Sequence, residues 1–247
     1  MTGAIAGTIE RLREAGVDNP RLDARLLTTE EQIARRVVRE PVAYILGHKG
    51  FWTLDIAVGP GALVPRPETE TLIEQLLKHA PDRTAALDIL DLGTGTGCLL
   101  LAALSEYPNA RGVGVDSSAE ALAWARRNVE KQGANARLVE CDFTEIDGAY
   151  DVILSNPPYI RTGDIAGLAP EVRLYEPVRA LDGGADGLDA YRALAPAIRC
   201  LLKPGGLVFL EIGAGQGAEV SAILGLEILG IASDLAGVER CVVGRKS

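Results

Sequence analysis

Two histidines in 247 residues leave little room for chemistry built on imidazole. His48 and His79 belong to no nucleophile or metal-ligand constellation, so triad hydrolysis and histidine-held metals are poor readings. The cysteines, Cys98, Cys141, Cys200 and Cys241, are scattered without a CxxC or a nearby histidine. That argues against zinc and against a disulfide framework, and they read as small core residues. No apolar run approaches the ~20 residues of a membrane span, and the N-terminus MTGAIAGTIERLREAG lacks a signal peptide's charged start and long apolar core. A cytoplasmic protein is expected. Basic charge is also short: 25 Lys/Arg face 34 Asp/Glu for a net charge of −9, and residues 81–247 carry 15 basic against 23 acidic side chains. Phosphate contacts come from clustered Lys and Arg, so a large nucleic-acid surface on the main part of the chain is not expected, although a short basic patch is compatible. No internal repeat or low-complexity tract stands out.

What is present is an ordinary globular composition, 47% hydrophobic and 24% charged, long enough for one α/β domain and a small accessory unit. Ile5, Ile9 and Leu12 repeat at helical spacing, and Thr28 to Glu31 offer a capping box before a second helix carrying Ile33 and Val37. Between Phe51 and Val64 the texture changes: Leu54, Ile56 and Val58 alternate, and Gly59-Pro60-Gly61 supplies a turn, predicting a short hairpin connector. After Pro67 a helix presents Leu72, Ile73, Leu76 and Leu77 on one face. The expected organisation is a helical unit over 1–48, a hairpin connector over 49–66 and a larger domain over 67–247.

In that domain strands alternate with helices. Strands are predicted at 86–92, 112–116, 136–141, 150–155 and 207–212, and helices at 97–106, 118–131 (with Ser117 and Glu120 as a capping box) and 188–201. Two closing strands, 226–233 and 238–243, flank a tight turn at Asp234 to Gly237 and suit an antiparallel strand inserted at one edge. The expected fold is α/β, a mostly parallel, doubly wound Rossmann-like sheet, with ligands bound beyond the carboxyl ends of its strands.

The first such strand runs into Asp91-Leu92-Gly93-Thr94-Gly95-Thr96-Gly97 and then a helix. Glycines there allow a sharp turn and close approach of a ligand to the main chain, and the helix N-terminus favours negative charge. The spacing is GxGxG rather than the GxGxxG of dinucleotide binders, and Asp91 stands where a carboxylate meets a polar or cationic group. Asp116 ends the next strand, 23 residues after Gly93, placed to accept from ribose hydroxyls. Asp142 and Phe143 follow the third strand, offering a carboxylate and an aromatic face. Together these describe a nucleoside with an amino-acid-like arm, which S-adenosylmethionine fits. A nicotinamide-dependent oxidoreductase is the rival of another class, and a fold retained for binding alone is a further one.

The fourth strand ends in Ser155-Asn156-Pro157-Pro158-Tyr159-Ile160. Asn156 and Pro157 both precede a proline, which restricts them to extended conformations and aims their carbonyls. The Asn156 side chain and the Pro157 main chain then present acceptors, and Tyr159 a flat ring, which suits methylation of a planar NH2 group. The lone pair of such a nitrogen is delocalised; two acceptors gripping its N–H groups position it and stabilise the charge that grows on it. No strong general base is needed before attack, in keeping with the lack of a suitable histidine.

These residues resemble the PrmC/HemK family of class I S-adenosylmethionine-dependent protein-(glutamine-N5) methyltransferases, which modify the glutamine of the GGQ motif in peptide-chain release factors. The resemblance runs from about Pro41 to the C-terminus and includes EPVAYILG (40–47), Phe51-Trp52, LVPRPETE (63–70), DLGTGTG, SNPPYI, Tyr175-Glu176-Pro177 and GGADGLDAY (183–191). NPPY alone is shared with N6-adenine and N4-cytosine DNA methyltransferases and some RNA guanine methyltransferases, so a nucleic-acid amino-methyltransferase stays open. PRPETE is the sharper discriminator: relatives acting on a ribosomal protein typically carry Arg-Ser-Pro in place of Arg-Pro-Glu. By this resemblance Gly93, Thr94, Gly95, Thr96, Gly97, Asp116, Phe143 and Asn156 contact the cofactor, to which the reading of the third strand's end adds Asp142, and Asn156, Pro157, Pro158 and Tyr159 receive the glutamine. The family often has Trp where Phe143 stands. Arg66 falls near this pocket, where a plain anchoring role is the other reading. A monomer acting on a release factor is expected, with no metal from the histidine and cysteine pattern and no nucleic-acid substrate from the acidic charge. About 40 residues precede EPVAYILG, fewer than the family's helical domain, and Leu27 runs directly into Thr28 where more helix is expected; either that domain is short here or a segment is missing from the numbering.

Overall fold

The computed structural model describes residues 2–143 and 145–247; Met1 and Thr144, which fall within the expected helical unit and larger domain, lie outside them. Apolar residues at helical spacing build α1 (Thr2–Glu14), α2 (Pro20–Leu26), α3 (Glu30–Val37) and the short α4 (Val42–Leu46). Leu12, Val17 and Ala24 form one small core, and Leu27, Ile33 and Ile45 another. Helix α2, not anticipated from sequence, starts on a proline, which suits a first helical position whose N–H is unpaired anyway. The capping box of α3 sits one residue later than expected. Thr29 accepts from the Gln32 N–H, and the Gln32 side chain accepts from both Thr28 N (2.8 Å) and Thr29 N (3.1 Å). An amide oxygen that serves two backbone donors outcompetes the Thr28–Glu31 pairing.

The hairpin is shorter and earlier than predicted: β1 (His48–Phe51) pairs antiparallel with β2 (Leu54–Ala57), turning at Trp52, whose φ is 54°. The Gly59-Pro60-Gly61 bend lies outside the pair. It packs on the Trp124 and Glu120 side chains, which is why small residues stand there.

Seven further strands form one sheet: β3 (Asp88–Leu92), β4 (Arg111–Asp116), β5 (Ala136–Glu140), β6 (Tyr150–Ser155), β7 (Leu202–Glu211), β8 (Glu227–Ser233) and β9 (Glu239–Arg245). Their order is β5-β4-β3-β6-β7-β9-β8, parallel except for β9, which runs antiparallel between β7 and β8. Successive strand residues face opposite sides, and both sides are apolar here. Val152 and Leu154 join one core cluster and Ile153 the other, as do Leu207 and Phe209 against Val208 and Leu210. Helices α5 (Glu70–His79), α6 (Cys98–Glu106) and α7 (Ala119–Gln132) cover the first face; α9 (Asp189–Leu201) and α10 (Gly217–Leu224) cover the second. Burying each such leucine or phenylalanine fully stabilises the domain by roughly 1.5–3 kcal/mol. Helix α10, the short α8 (Pro170–Tyr175) and 3-10 turns at Thr162–Gly167 and Val178–Ala180 were not anticipated. Helix α7 is capped by Ser118 rather than Ser117, since Ser118 Oγ accepts from Ala121 N while the Asp116 carboxylate holds the Ser118 N–H. The β7 strand begins at Leu202, so Lys203 to Gly206 lie within it. Of the four cysteines, Cys241 is buried as expected and Cys200 is exposed, because α9 turns that residue to solvent.

Candidate active site

Pairing runs outward from β3 to β4 on one side and to β6 on the other, so the crevice beyond their carboxyl ends is the topological switch point of the sheet. The DLGTGTG loop opens into it with left-handed backbone at Gly93, Gly95 and Gly97 (φ 75°, 57° and 78°), which residues with a Cβ rarely adopt. Two tethers set the loop's course. Asp116 at the end of β4 accepts from Gly95 N through one carboxylate oxygen and from Ser118 N through the other, both at 2.9 Å. Asn128 of α7, fully buried, donates to Thr96 O (2.9 Å) and pairs with the Ala57 main chain, tying loop to hairpin.

A cavity of about 230 Å³ opens beside the loop. Gly93, Gly95, Asp116, Asp142, Phe143, Asn156, Pro157 and Pro158 line it, together with Ser117, Pro177 and Arg179. The remaining sequence-singled residues sit apart from it. Thr94 and Thr96 are buried and line a smaller void beneath the loop with Asp91, Arg66 and Thr69. Gly97 caps α6, and Tyr159 faces a third cavity. Thr94 turns inward because its hydroxyl donates to Asp91 Oδ2 at 2.7 Å. Burial pushes the Asp91 carboxyl up to about 7, with the nearby Asp116 charge adding to it.

The third cavity lies on the other side of Asn156 and is mainly apolar, lined by Leu63, Ile160, Leu168, Val172, Ala180 and Leu181 with Arg66, Tyr159 and Glu211. Asn156 lines all three spaces. Its Nδ2 donates to Thr69 Oγ1 (3.0 Å), Thr69 donates to Glu211 Oε2, and the Tyr159 hydroxyl donates to Glu211 Oε1 (3.1 Å). Burial pushes the Tyr159 phenol well above its ordinary value, with the Glu211 charge adding to it, so this hydroxyl is a donor and not a base.

Three motifs acquire physical roles. In PRPETE, Arg66 pairs with Glu176 (2.6 Å), Thr69 joins Asn156 to Glu211, and Glu70 accepts from Trp52 N (2.8 Å) in the hairpin turn. In Tyr175-Glu176-Pro177, the tyrosine hydroxyl reaches Val38 O of the N-terminal unit, the glutamate also accepts from Val64 N, and the proline lines the first cavity. The GGADG run wraps the NPPY backbone: a Cβ on Gly187 (φ 79°) would stand 2.5 Å from Tyr159 O. Thr69 stood in the sequence only as a member of the PRPETE motif with no role of its own, and Glu211 was not singled out. A lone carboxylate inside the apolar run LVFLEIG is costly without partners and was the available signal.

Residues 67–172 match the methyltransferase small domain family. The chain is 45% identical to the release factor glutamine methyltransferase of Rhodospirillum rubrum, covering 96% of this chain and 82% of that one. It belongs to the release factor glutamine methyltransferase family. The Caulobacter vibrioides member is 44% identical, with 96% and 93% covered. The sheet also superposes on a 16S rRNA methyltransferase of T. thermophilus solved with AdoMet and guanosine, at a TM-score of 0.57 and 19% identity over 81% of this chain and 50% of that one. That likeness establishes the class I methyltransferase fold of this enzyme. Among the described residues no cluster of metal-ligating side chains forms, and no helix is long and apolar enough to cross a membrane.

Proposed function

We propose that this enzyme methylates the side-chain amide nitrogen of the GGQ glutamine in peptide-chain release factors, with S-adenosylmethionine as donor. The carrying observation is the position of Asn156 between two cavities, one lined by the glycine loop, Asp116 and Phe143, the other apolar with a polar floor. S-adenosylmethionine fits the first by the chemistry of its lining: Asp116 keeps acceptor capacity for ribose hydroxyls, Phe143 offers a face to adenine, and Asp142 a further carboxylate. When bound, the donor supplies a methyl group on a sulfonium centre.

Everything else is done by this chain. Leu63, Val172 and Leu181 exclude water around the aliphatic stem of a glutamine. The Asn156 side-chain oxygen and the Pro157 carbonyl accept from the two amide N–H groups, fixing the nitrogen against the wall shared with the donor cavity. They stabilise the positive charge that develops there; the N–C bond forms as the donor's S–C bond breaks to leave a neutral thioether, and the surplus proton on nitrogen passes to solvent. Residues 1–48 serve as the recognition unit, 49–66 as the connector and 67–247 as the methyltransferase domain. The working form is a cytoplasmic monomer, and its substrate is protein rather than nucleic acid, which the acidic charge of residues 81–247 supports. Mass spectrometry of a release factor after incubation with enzyme and donor is expected to show one added methyl on the GGQ glutamine. Transfer to DNA or RNA with none to the factor would refute the reading.

A further inference from the structure

We infer that Thr69 and Glu211 are positioning residues that lock the Asn156 amide with its oxygen, not its NH2, toward the acceptor, and so make the pocket select an amide over a carboxylate. The inference rests on the acceptor assignment above and adds the device that sets its polarity. Hydrogen-bond direction carries it. An ionised carboxylate only accepts, so the two hydroxyls that reach Glu211, from Thr69 and Tyr159, must both donate to it. Thr69 has one proton. Once that proton points at Glu211, Oγ1 has only lone pairs for Asn156, and Asn156 must answer with its NH2, which is the 3.0 Å contact observed. The Asn156 oxygen is thereby turned away from Thr69 and left to accept.

Burial makes this arrangement binding. Thr69 and Glu211 are almost wholly inaccessible, so losing a partner strands a buried polar group. Facing the Glu211 carboxylate are Thr69, Tyr159, Arg240 and Glu68, with Cys98, Cys241 and Tyr191 also close to it, and its own main-chain oxygen accepts from Tyr191. Burial pushes its carboxyl up to about 7, so the test is set at pH 8, above that value, where the carboxylate form predominates and both hydroxyls donate to it. The PRPETE threonine thus works as a one-way adaptor between a buried charge and the residue that grips the substrate.

The test is a binding ratio at pH 8. Calorimetry compares a release factor carrying its GGQ glutamine with the same factor carrying glutamate there, for wild type, Thr69→Val, Thr69→Ser and Glu211→Gln. In wild type the glutamate meets two acceptor oxygens and binds far more weakly. Thr69→Val removes the lone pairs that hold the Asn156 NH2, the amide is free to turn, and the preference for glutamine is expected to fall about tenfold. Thr69→Ser keeps it and Glu211→Gln reduces it. S-adenosylmethionine affinity, little changed throughout, reports an intact fold. An unchanged ratio in Thr69→Val, or a serine variant that behaves like valine, overturns the relay. Methylation of the glutamine factor by wild type is scored separately and bears on the proposed function, so the two failures are distinguishable.

Discussion

Arg36 of α3 reaches Glu171 of α8, Nη2 to Oε1 at 2.8 Å, while its Nε holds Asp23 of α2 at 2.7 Å. Arg36 and Asp23 are both buried, and Arg39 also pairs with Glu171. The contact spans 135 positions and joins the N-terminal unit to the segment that follows the NPPY loop. Removing one partner of a buried pair strands the other charge. Arg36→Met is therefore expected to destabilise the N-terminal unit by about 3–5 kcal/mol. Limited proteolysis should then cut within residues 1–47, and KM for the release factor should rise, while donor affinity holds. Unaltered protease resistance would argue against this coupling.

Asp116 spends one oxygen on Gly95 N and the other on Ser118 N. Asp116→Ala orphans both donors and removes the carboxylate proposed above to accept from the ribose hydroxyls. Donor affinity measured by calorimetry is expected to fall roughly tenfold to a hundredfold. Asp116→Asn, which keeps one acceptor oxygen, should lie between. Wild-type affinity in the alanine variant would remove Asp116 from donor binding, whether direct or through the loop.

Glu211 links stability to pH. Its carboxyl moves from about 4.5 in the unfolded chain up to about 7 in the fold, mainly through burial. The folded state therefore binds the proton more tightly, so this group's contribution is full below about 4.5 and is lost as pH rises toward 7. Asp91 behaves alike, but comparison with Glu211→Gln isolates Glu211. The variant should match wild type in Tm at pH 5 and exceed it at pH 8 by roughly 2–6 °C, with lower turnover. A Tm difference independent of pH would show that the buried charge is not the cause.

The βα order, the glycine loop and the ends of β4 and β6 were legible because each is written locally: two-residue alternation, glycine at left-handed positions, proline after a strand. The N-cap of α7 was misplaced by one residue because Ser117 and Ser118 look alike until the Asp116 carboxylate claims the Ser118 N–H. Less was legible in the site. Thr69 and Glu211 stand 142 positions apart and meet only when the turn that follows Arg66 packs against the end of β7. PRPETE could be matched to a family, yet nothing local shows that its side chains reach three different parts of the fold.

Asn156 is the residue whose loss should act on the chemical step. Asn156→Ala deletes the side-chain acceptor between the two cavities and leaves the glycine loop tethers in place. Turnover is expected to fall by roughly 10²–10³, with KM for the release factor changed far less. Single-turnover methylation separates chemistry from binding, and near-normal turnover would remove Asn156 from the role assigned to it.

Gly187 is expected to matter although it touches neither cavity. Its φ of 79° is one that L residues rarely adopt, and an added Cβ would lie 2.5 Å from Tyr159 O and 2.8 Å from Gln216 Nε2. Gln216 Nε2 is the group that holds the Tyr159 carbonyl, at 3.2 Å, so relief of the clash must displace the NPPY backbone itself. Gly187→Ala should cost about 1–3 kcal/mol of stability through strain and overpacking. Because a shift of the loop moves the Asn156 and Pro157 acceptors together, kcat should fall more than donor affinity. Alanine at Gly163, where a Cβ would meet nothing within 4 Å, provides the comparison. Equal turnover in the two variants would mean that the loop tolerates displacement and that its acceptors are not held to a fixed position by GGADG.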